Sequence, residues 1–271
     1  MASPYIVRKV INKTFSGRFT LSRLSHYGFA GKVIDHLLFK DDDILYLPRD
    51  STIPVNQVLD QPADMVLPSQ ILDHIIESTG FHWIMDFCIC RESADCKDFP
   101  IEMGCLFMGE AAMDINPKFG RPVSAEQARE HVRLCREAGL VHLVGRNKLD
   151  AVWLNVRPGK KLFTVCNCCP CCCFWRLLPD ITPDIGDKLT RMPGIAFRVN
   201  GLCVGCGTCT KDVCFVNAIQ LADGKAHIAE TCRGCGRCVD ACPNQAIELV
   251  VMDQNYLSAT FGRLTSAVDL S

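Results

Sequence analysis

The sequence predicts an α+β chain in which an N-terminal mixed α/β, cysteine-rich domain is followed by a small C-terminal domain with a pseudo-two-fold repeat. Three observations carry this. Helical and strand-like hydrophobic patterns alternate between residues 30 and 165, the cysteines gather in three places, and residues 195–251 divide into two halves that align with each other. The expected boundaries are an α/β segment over 1–66 packed on its neighbour, a cysteine-rich domain over 67–176, a linker over 177–194, the repeat over 195–251 and a tail over 252–271. The linker is read from Pro179, Pro183 and Pro193.

At 271 residues the chain is long enough to bury a sizeable core. Its 29 Lys and Arg nearly balance its 30 Asp and Glu, for a net charge of -1, so no basic field exists to hold nucleic acid or anionic lipid. The opening stretch MASPYIVRKVINKTF has no continuous apolar core, and no apolar run reaches the roughly 18 residues of a membrane span. A cytoplasmic location is expected. Nineteen cysteines, an odd number with several adjacent, argue for metal ligation over a disulfide framework of the kind found in small secreted chains.

Taken in order, an amphipathic helix is expected over Ala30 to Phe39, then a solvated turn at Asp41, Asp42 and Asp43, a short strand at Ile44 to Leu47, and a loop-rich connection marked by Pro48, Pro54, Pro62 and Pro68. Ser69 is placed to cap a helix running to Thr79, with Ile71, Leu72, Ile75 and Ile76 on one face and Gly80 as its stop. Alternation from Phe81 to Phe87 predicts a strand that delivers Cys88 and leaves His82 on a solvated side. Ser124 and Gln127 form a capping-box pattern for a helix ending at Gly139. Ala128, Val132, Cys135 and Ala138 share its apolar face, so Cys135 reads as a buried free thiol, with ligation left open. Strands at Leu140 to Val144, Ala151 to Val156 and Lys161 to Val165 then complete a small mixed sheet.

Cys88-x-Cys90-x5-Cys96-x8-Cys105 places four thiols within 18 residues, among the turn-forming Pro100, Gly104 and Gly109. Such a segment can wrap one metal centre, and its uneven arms favour an iron–sulfur cluster over zinc, which prefers paired C-x2-C knuckles. Cys166, Cys168, Cys169, Cys171, Cys172 and Cys173 put six thiols in eight residues. They cannot all face one point, because neighbouring side chains of extended backbone diverge. Part of the group is expected to close over Cys88 to Cys105 and make a larger or additional cluster; the rest are packing or redox-active thiols.

Two further runs, Cys203-x2-Cys206-x2-Cys209-x4-Cys214 and Cys232-x2-Cys235-x2-Cys238-x3-Cys242-Pro243, lie in the two halves of the repeat. The halves pair Val199 with Ile228, Cys203 with Cys232, Cys214 with Cys242, and Ala218-Ile219 with Ala246-Ile247. Residues 195–251 thus resemble a bacterial two-cluster ferredoxin. The resemblance implies two 4Fe-4S clusters, one on Cys203, Cys206, Cys209 and Cys242 and the other on Cys232, Cys235, Cys238 and Cys214. The first run departs from the family in its four-residue last spacing and in Phe215 where proline is usual. Gly205, Gly207, Gly234 and Gly236 suit loops that approach a cluster closely. Such clusters span about -700 to +450 mV, and ferredoxin-like ones fall on the negative side.

The stretches CICR, GCLFMG and CNCCPCCC give the N-terminal part a resemblance to an iron–sulfur family of anaerobes that brings no named activity with it. The expected function is electron transfer, as a subunit or dedicated low-potential donor of an anaerobic redox enzyme, with at least one further cluster beyond the two ferredoxin-like ones. The partner is then a redox protein or a larger oxidoreductase complex. A reductase or reductive activator acting at the N-terminal cluster, and a cluster-assembly or metal-carrier protein, are the alternatives. No C-x3-C-x2-C radical run, GxGxxG opening a helix, P-loop or G-x-S-x-G elbow is present.

Overall fold

A computed structural model describes residues 4–50 and 68–269, so the loop expected around Pro54 and Pro62 lies outside the described residues. The chain begins with three helices, α1 (Pro4–Thr14), α2 (Arg18–Leu24) and α3 (Gly28–Ile34). The helix expected over Ala30 to Phe39 is real but changes pitch, since its last turn, Asp35–Phe39, is a π-turn. Next come β1 (Asp43–Tyr46), α4 (Pro68–Ser78), β2 (His82–Met85), α5 (Ile89–Ser93), β3 (Leu106–Met108), β4 (Gly120–Val123), α6 (Ala125–Glu137), β5 (Val141–Arg146), α7 (Lys148–Leu154) and β6 (Phe163–Cys168). The remainder holds α8 (Pro183–Gly186), β7 (Leu189–Arg191), β8 (Ile195–Val199), β9 (Ile219–Ala222), β10 (Lys225–Ile228), α9 (Arg237–Asp240), β11 (Ile247–Val251) and α10 (Tyr256–Ala267).

The chain is therefore α+β, organised on a seven-stranded sheet of order β4-β2-β3-β6-β5-β1-β7. Its sheet is mixed, as expected, because β7 runs parallel to β1 while the other pairs are antiparallel. α4 and α6 cover one face: Ile71, Leu72, Ile75, Ile76, Ala128 and Val132 share a core with Ile84, Leu106, Phe163 and Val165. Both halves of the predicted capping box on α6 form, Ser124 Oγ accepting from the Gln127 amide at 3.2 Å and Gln127 Oε1 from the Ser124 amide at 3.0 Å.

Several local expectations change. Residues 151–154 form the end of α7 rather than a strand. Asn147 caps the helix through the Leu149 amide, and Asn155 ends it in the left-handed conformation. His82 is buried, not solvated, with Nε2 2.7 Å from the Ile76 carbonyl. The segment read as a linker contributes α8 and the edge strand β7. The segment read as a tail forms α10, which returns to the sheet: Arg263 donates to Asp43 and Thr190 at 2.7 Å each, and Phe261 meets the His74 ring edge-on. Residues 195–251 add two antiparallel ribbons, β8 with β11 and β9 with β10. They pack onto the sheet through Phe215, whose ring is 5.9 Å from that of Tyr46 in β1.

Of the three aspartates expected in a solvated turn, Asp41 is exposed in the turn, Asp43 opens β1 and Asp42 is buried. Its Oδ1 accepts from the Lys148 amide at 2.6 Å, while Oδ2 has no partner. Burial pushes its pKa up to about 8, with Asp150 adding to the rise and the Lys148 hydrogen bond, Lys188 and Arg146 opposing it. A folded-state pKa above the unfolded value of about 3.9 means that the folded chain holds one extra proton between the two values. The associated stability is complete below the unfolded pKa and is lost as pH rises through the folded one. Asp42→Asn keeps an acceptor for Lys148 and does not titrate. It is expected to flatten the dependence of the anaerobic urea midpoint on pH between about 5 and 8. Parallel pH profiles for the two proteins would refute this assignment.

Candidate metal centres

Strand β6 sorts the third cysteine group by its period of two. Val165 and Asn167 face α6, whereas Thr164, Cys166 and Cys168 face the opposite side of the sheet. Cys169 follows the last strand residue, and the turn at Pro170 carries Cys171 and Cys172 with it. Cys173 then opens the 3-10 turn Phe174–Asp180. The result is two separate thiol groups.

Cys96, Cys169, Cys171 and Cys172 form the first, their sulfurs all within 4.8 Å of one another and Cys96 3.6 Å from Cys171. The four cysteines from Cys88 to Cys105 therefore do not wrap one centre. Asp95, with φ of 49°, turns the chain after α5 and carries Cys96 away from the other three. Cys88, Cys90 and Cys105 join Cys166, Cys168 and Cys173 in the second group. Cys168 and Cys173 are 3.2 Å apart, Cys166 contacts both Cys105 and Cys168, and Cys88 contacts Cys90. The hydrogen bond from Cys90 holds the Cys88 thiol down at about 6 against its burial, and Cys90 is pushed well up in return.

A fully buried cation lies between the groups. Arg91 donates Nε to the Pro100 carbonyl and one guanidinium nitrogen to the Asn167 carbonyl, both at 2.7 Å, and the other nitrogen to the Met103 carbonyl. Burial alone would lower its pKa, yet Cys88, Cys169, Cys168 and Cys105 drive it upward. On the α6 side, Asn167 donates to the Gly104 carbonyl at 2.7 Å and lies 2.8 Å from His142 Nδ1. Cys135 is wholly buried beside Cys96, Cys169 and Leu140, and its Sγ is 3.7 Å from His131 Nε2. It stands outside the four-thiol group, and burial pushes it up to about 12. The spacing of the cysteines gave no sign of Arg91 as the shared cation; its buried position inside CICR became readable only when the sheet brought Asn167 to it.

In the C-terminal part, Cys203, Cys206, Cys209 and Cys242 line one void, and Cys214, Cys232, Cys235 and Cys238 line another. Each void thus draws three cysteines from one run and the last cysteine of the other. Backbone amides point at the sulfurs: Ala226 at Cys203, Ala218 at Cys214, Gly234 at Cys232 and Ala246 at Cys242, over 3.2–3.4 Å. Gly205 and Gly234 have φ of 69° and 71°, and a Cβ on either would strike Gly224 or Arg191. These are donor sets that fit a 4Fe-4S cluster, four thiols with amides aimed at them in a close backbone wrap. Burial raises the thiol pKa of Cys232 and takes that of Cys235 up to about 12, so a bound metal must supply the positive charge that makes these thiolates favourable.

Arg237 joins the two parts of the molecule. Its guanidinium donates to the Gly139 carbonyl at 2.7 Å, lies over the Phe99 ring, and feels both Cys235 and Cys169. Arg49 with Asp240, 2.8 Å apart, makes a second tie nearby. In the first run Cys206 is exposed, close to Leu202 at 61% and Val204 at 69% exposure and 3.5 Å from the Thr208 hydroxyl. No helix among the described residues is long and apolar enough to cross a membrane. No curated protein and no solved structure matches the chain. Residues 226–248, which carry four of these cysteines, match the family described as the 4Fe-4S binding domain, and with the buried four-thiol group this points to an iron–sulfur electron-transfer protein.

Proposed function

We propose that the chain is a low-potential electron carrier, a subunit of or dedicated donor to an anaerobic redox enzyme. Cys203, Cys206, Cys209 and Cys242 would hold one 4Fe-4S cluster, and Cys214, Cys232, Cys235 and Cys238 a second. Cys96, Cys169, Cys171 and Cys172 would hold a further centre in the N-terminal part. When bound, such clusters supply one-electron chemistry.

The observation that carries this reading is the serial placement of the thiol sites. Cys169 and Cys235 flank the same cation, Arg237. The second void shares Phe197 and Ile228 with the ribbon framework beside the first, whose Cys206 is the exposed member. The protein's own residues do three things here. They hold thiols away from water, they aim amide dipoles at the sulfurs, and they place Arg91 and Arg237 where added negative charge is favoured. The exposed apolar Leu202 and Val204 beside Cys206 supply a surface on which a redox partner can dock at that end.

A second reading, catalysis in the N-terminal part, is favoured by one observation. Five thiols of the six-thiol group line a cavity rather than a close-packed core.

Anaerobically purified protein is expected to contain at least roughly eight irons with matching sulfide, the number two cubanes hold. Cys242→Ser is expected to alter the cluster signal that Cys203→Ser alters, and Cys214→Ser the one that Cys232→Ser alters. An iron content below roughly eight in the unmodified protein would end the reading. Removing a cation close to a redox centre disfavours its reduced, more negative form. Arg91→Gln is therefore expected to move the midpoint of the N-terminal signals to more negative potential in an EPR-monitored titration and to move the C-terminal signals less. Arg91→Lys, which keeps the charge but not the three-carbonyl fork, should fall between the two. Midpoints that do not respond to Arg91→Gln would show that its charge has no redox role.

A further inference from the structure

We infer that Cys88, Cys90, Cys105, Cys166, Cys168 and Cys173 form a second N-terminal iron–sulfur centre, separate from the four-thiol site, and that the cavity beside it is a pocket for a small, largely apolar ligand. This goes beyond electron transfer through the C-terminal clusters, and its test reads a different part of the molecule.

The first argument is chemical. Six thiols from three chain segments, 88–90, 105 and 166–173, lie in two contacting sets, Cys88 with Cys90 and the row Cys105, Cys166, Cys168 and Cys173, with a sulfur contact as short as 3.2 Å. All nineteen cysteines are free thiols, so no disulfide accounts for the convergence. A hydrophobic core made of cysteine does not need its sulfurs to meet, because a buried free thiol packs as a small hydrophobe against any alkyl neighbour. A soft metal rewards the convergence, and thiolate donors select iron–sulfur, zinc or copper. Six donors exceed what tetrahedral zinc accepts and suit a larger or bridged iron–sulfur cluster.

The second argument is spatial. The voids between the C-terminal cysteines are only about 10 and 20 Å³, whereas the cavity lined by Cys90, Cys105, Cys166, Cys168 and Cys173 is about 360 Å³. Space beyond that needed for a four-thiolate site is therefore present here. Phe15, Leu21, Trp153 and Phe174 supply apolar walls, so a ligand that fills the pocket must be small and mostly apolar. Arg18 is the cation of this lining. It stacks on Phe15 and Phe19 at 4.0 and 4.3 Å, and its buried Nε has no partner. It feels Cys90 and Cys173, so it faces the thiol group and offsets the negative charge of a thiolate-bound cluster. Asp150, the cavity's acid, is occupied by Trp153 Nε1 and Asn147 Nδ2 at 3.0 and 2.8 Å.

The test compares anaerobic Mössbauer and EPR spectra of the full chain, its Cys168→Ser/Cys173→Ser variant and its Cys96→Ser/Cys172→Ser variant, with iron and sulfide counts on each. The first variant is expected to lose iron and one spectral component while keeping both the C-terminal signals and the component that the second variant removes. Unchanged iron in the first variant, or one component lost by both variants, would overturn the separate centre. So would a Cys168–Cys173 disulfide found by thiol alkylation and mass spectrometry of anaerobic protein. A small alkyl isocyanide, an uncharged ligand for iron, is expected to shift that same component in the unmodified protein and leave the C-terminal signals in place. No shift would overturn the pocket. Should the serine variants fail to fold, the iron count of the unmodified chain decides the separate centre: more than the roughly twelve irons that three cubanes hold is expected, and a count at or below that overturns it. Absence of the C-terminal signals from the unmodified protein would instead defeat the electron-carrier reading.

Discussion

The arrangement of this molecule turns on the alternation of side chains at the end of β6. Three consecutive residues are committed to different places by backbone geometry alone: Cys166 and Cys168 to one face of the sheet, and Asn167 between them to the other. A shift of one residue would put Asn167 among the thiols and two thiols against His131 and His142. Register is strongly specified in such a strand because both faces are buried. β6 is held on both sides, by β3 and β5, and so cannot slip without breaking two ladders.

Arg91 depends on that register and in turn secures it. Its guanidinium reaches the Asn167 carbonyl from α5, and its other donors close the loop through Pro100 and Met103. All three acceptors are backbone carbonyls, so the cation keeps its charge free to act on the thiols around it. A carboxylate partner would have cancelled that field. A buried cation without a counter-ion is ordinarily too costly to keep, by several kcal/mol. The thiols on either side are the groups whose ionised form makes it tolerable, so metal binding by those thiols, as proposed above, would also stabilise this core.

Much of this was legible in the residues. The apolar faces at Ile71 to Ile76 and Ala128 to Cys135 and the capping box at Ser124 depend on near neighbours in the chain, and they fold as the local pattern requires. The statement that the six thiols from Cys166 to Cys173 must part company also followed from strand geometry. Which way each went did not follow, because Cys96 leaves its neighbours through a left-handed Asp95 that nothing in the spacing announces. The same holds for Ala151 to Val156. Its apolar residues fit a strand as well as a helix, and the decision came from Asn147 and Asn155, one capping and one ending α7. Segments 177–194 and 252–271 hold elements that their composition does not announce, for a related reason. Prolines and polar residues marked breaks, yet β7 and α10 are short elements stabilised by long-range partners, Asp43 and Thr190 among them.

Those long-range partners matter to the chemistry as well as to the fold. β7 leads directly into β8, and α10 ties the far end of the repeat to β1, so the cysteine-rich loops between them are clamped at both ends against the sheet. Tyr46 against Phe215 fills the space next to Cys214 and Cys232. A linker would have left the C-terminal clusters free to wander, and transfer between wandering sites depends on encounter. A docked repeat instead fixes the side on which Arg237, Cys235 and Cys169 meet and leaves Cys206 pointing outward. On the proposed reading, that exposed end is the side of exchange with a redox partner. The other ends beside a cavity that five thiols and Arg18 line. An electron carrier serving only its partner has no use for a pocket of about 360 Å³ beside its thiols, and it is this mismatch that makes the N-terminal thiols the place to look for chemistry.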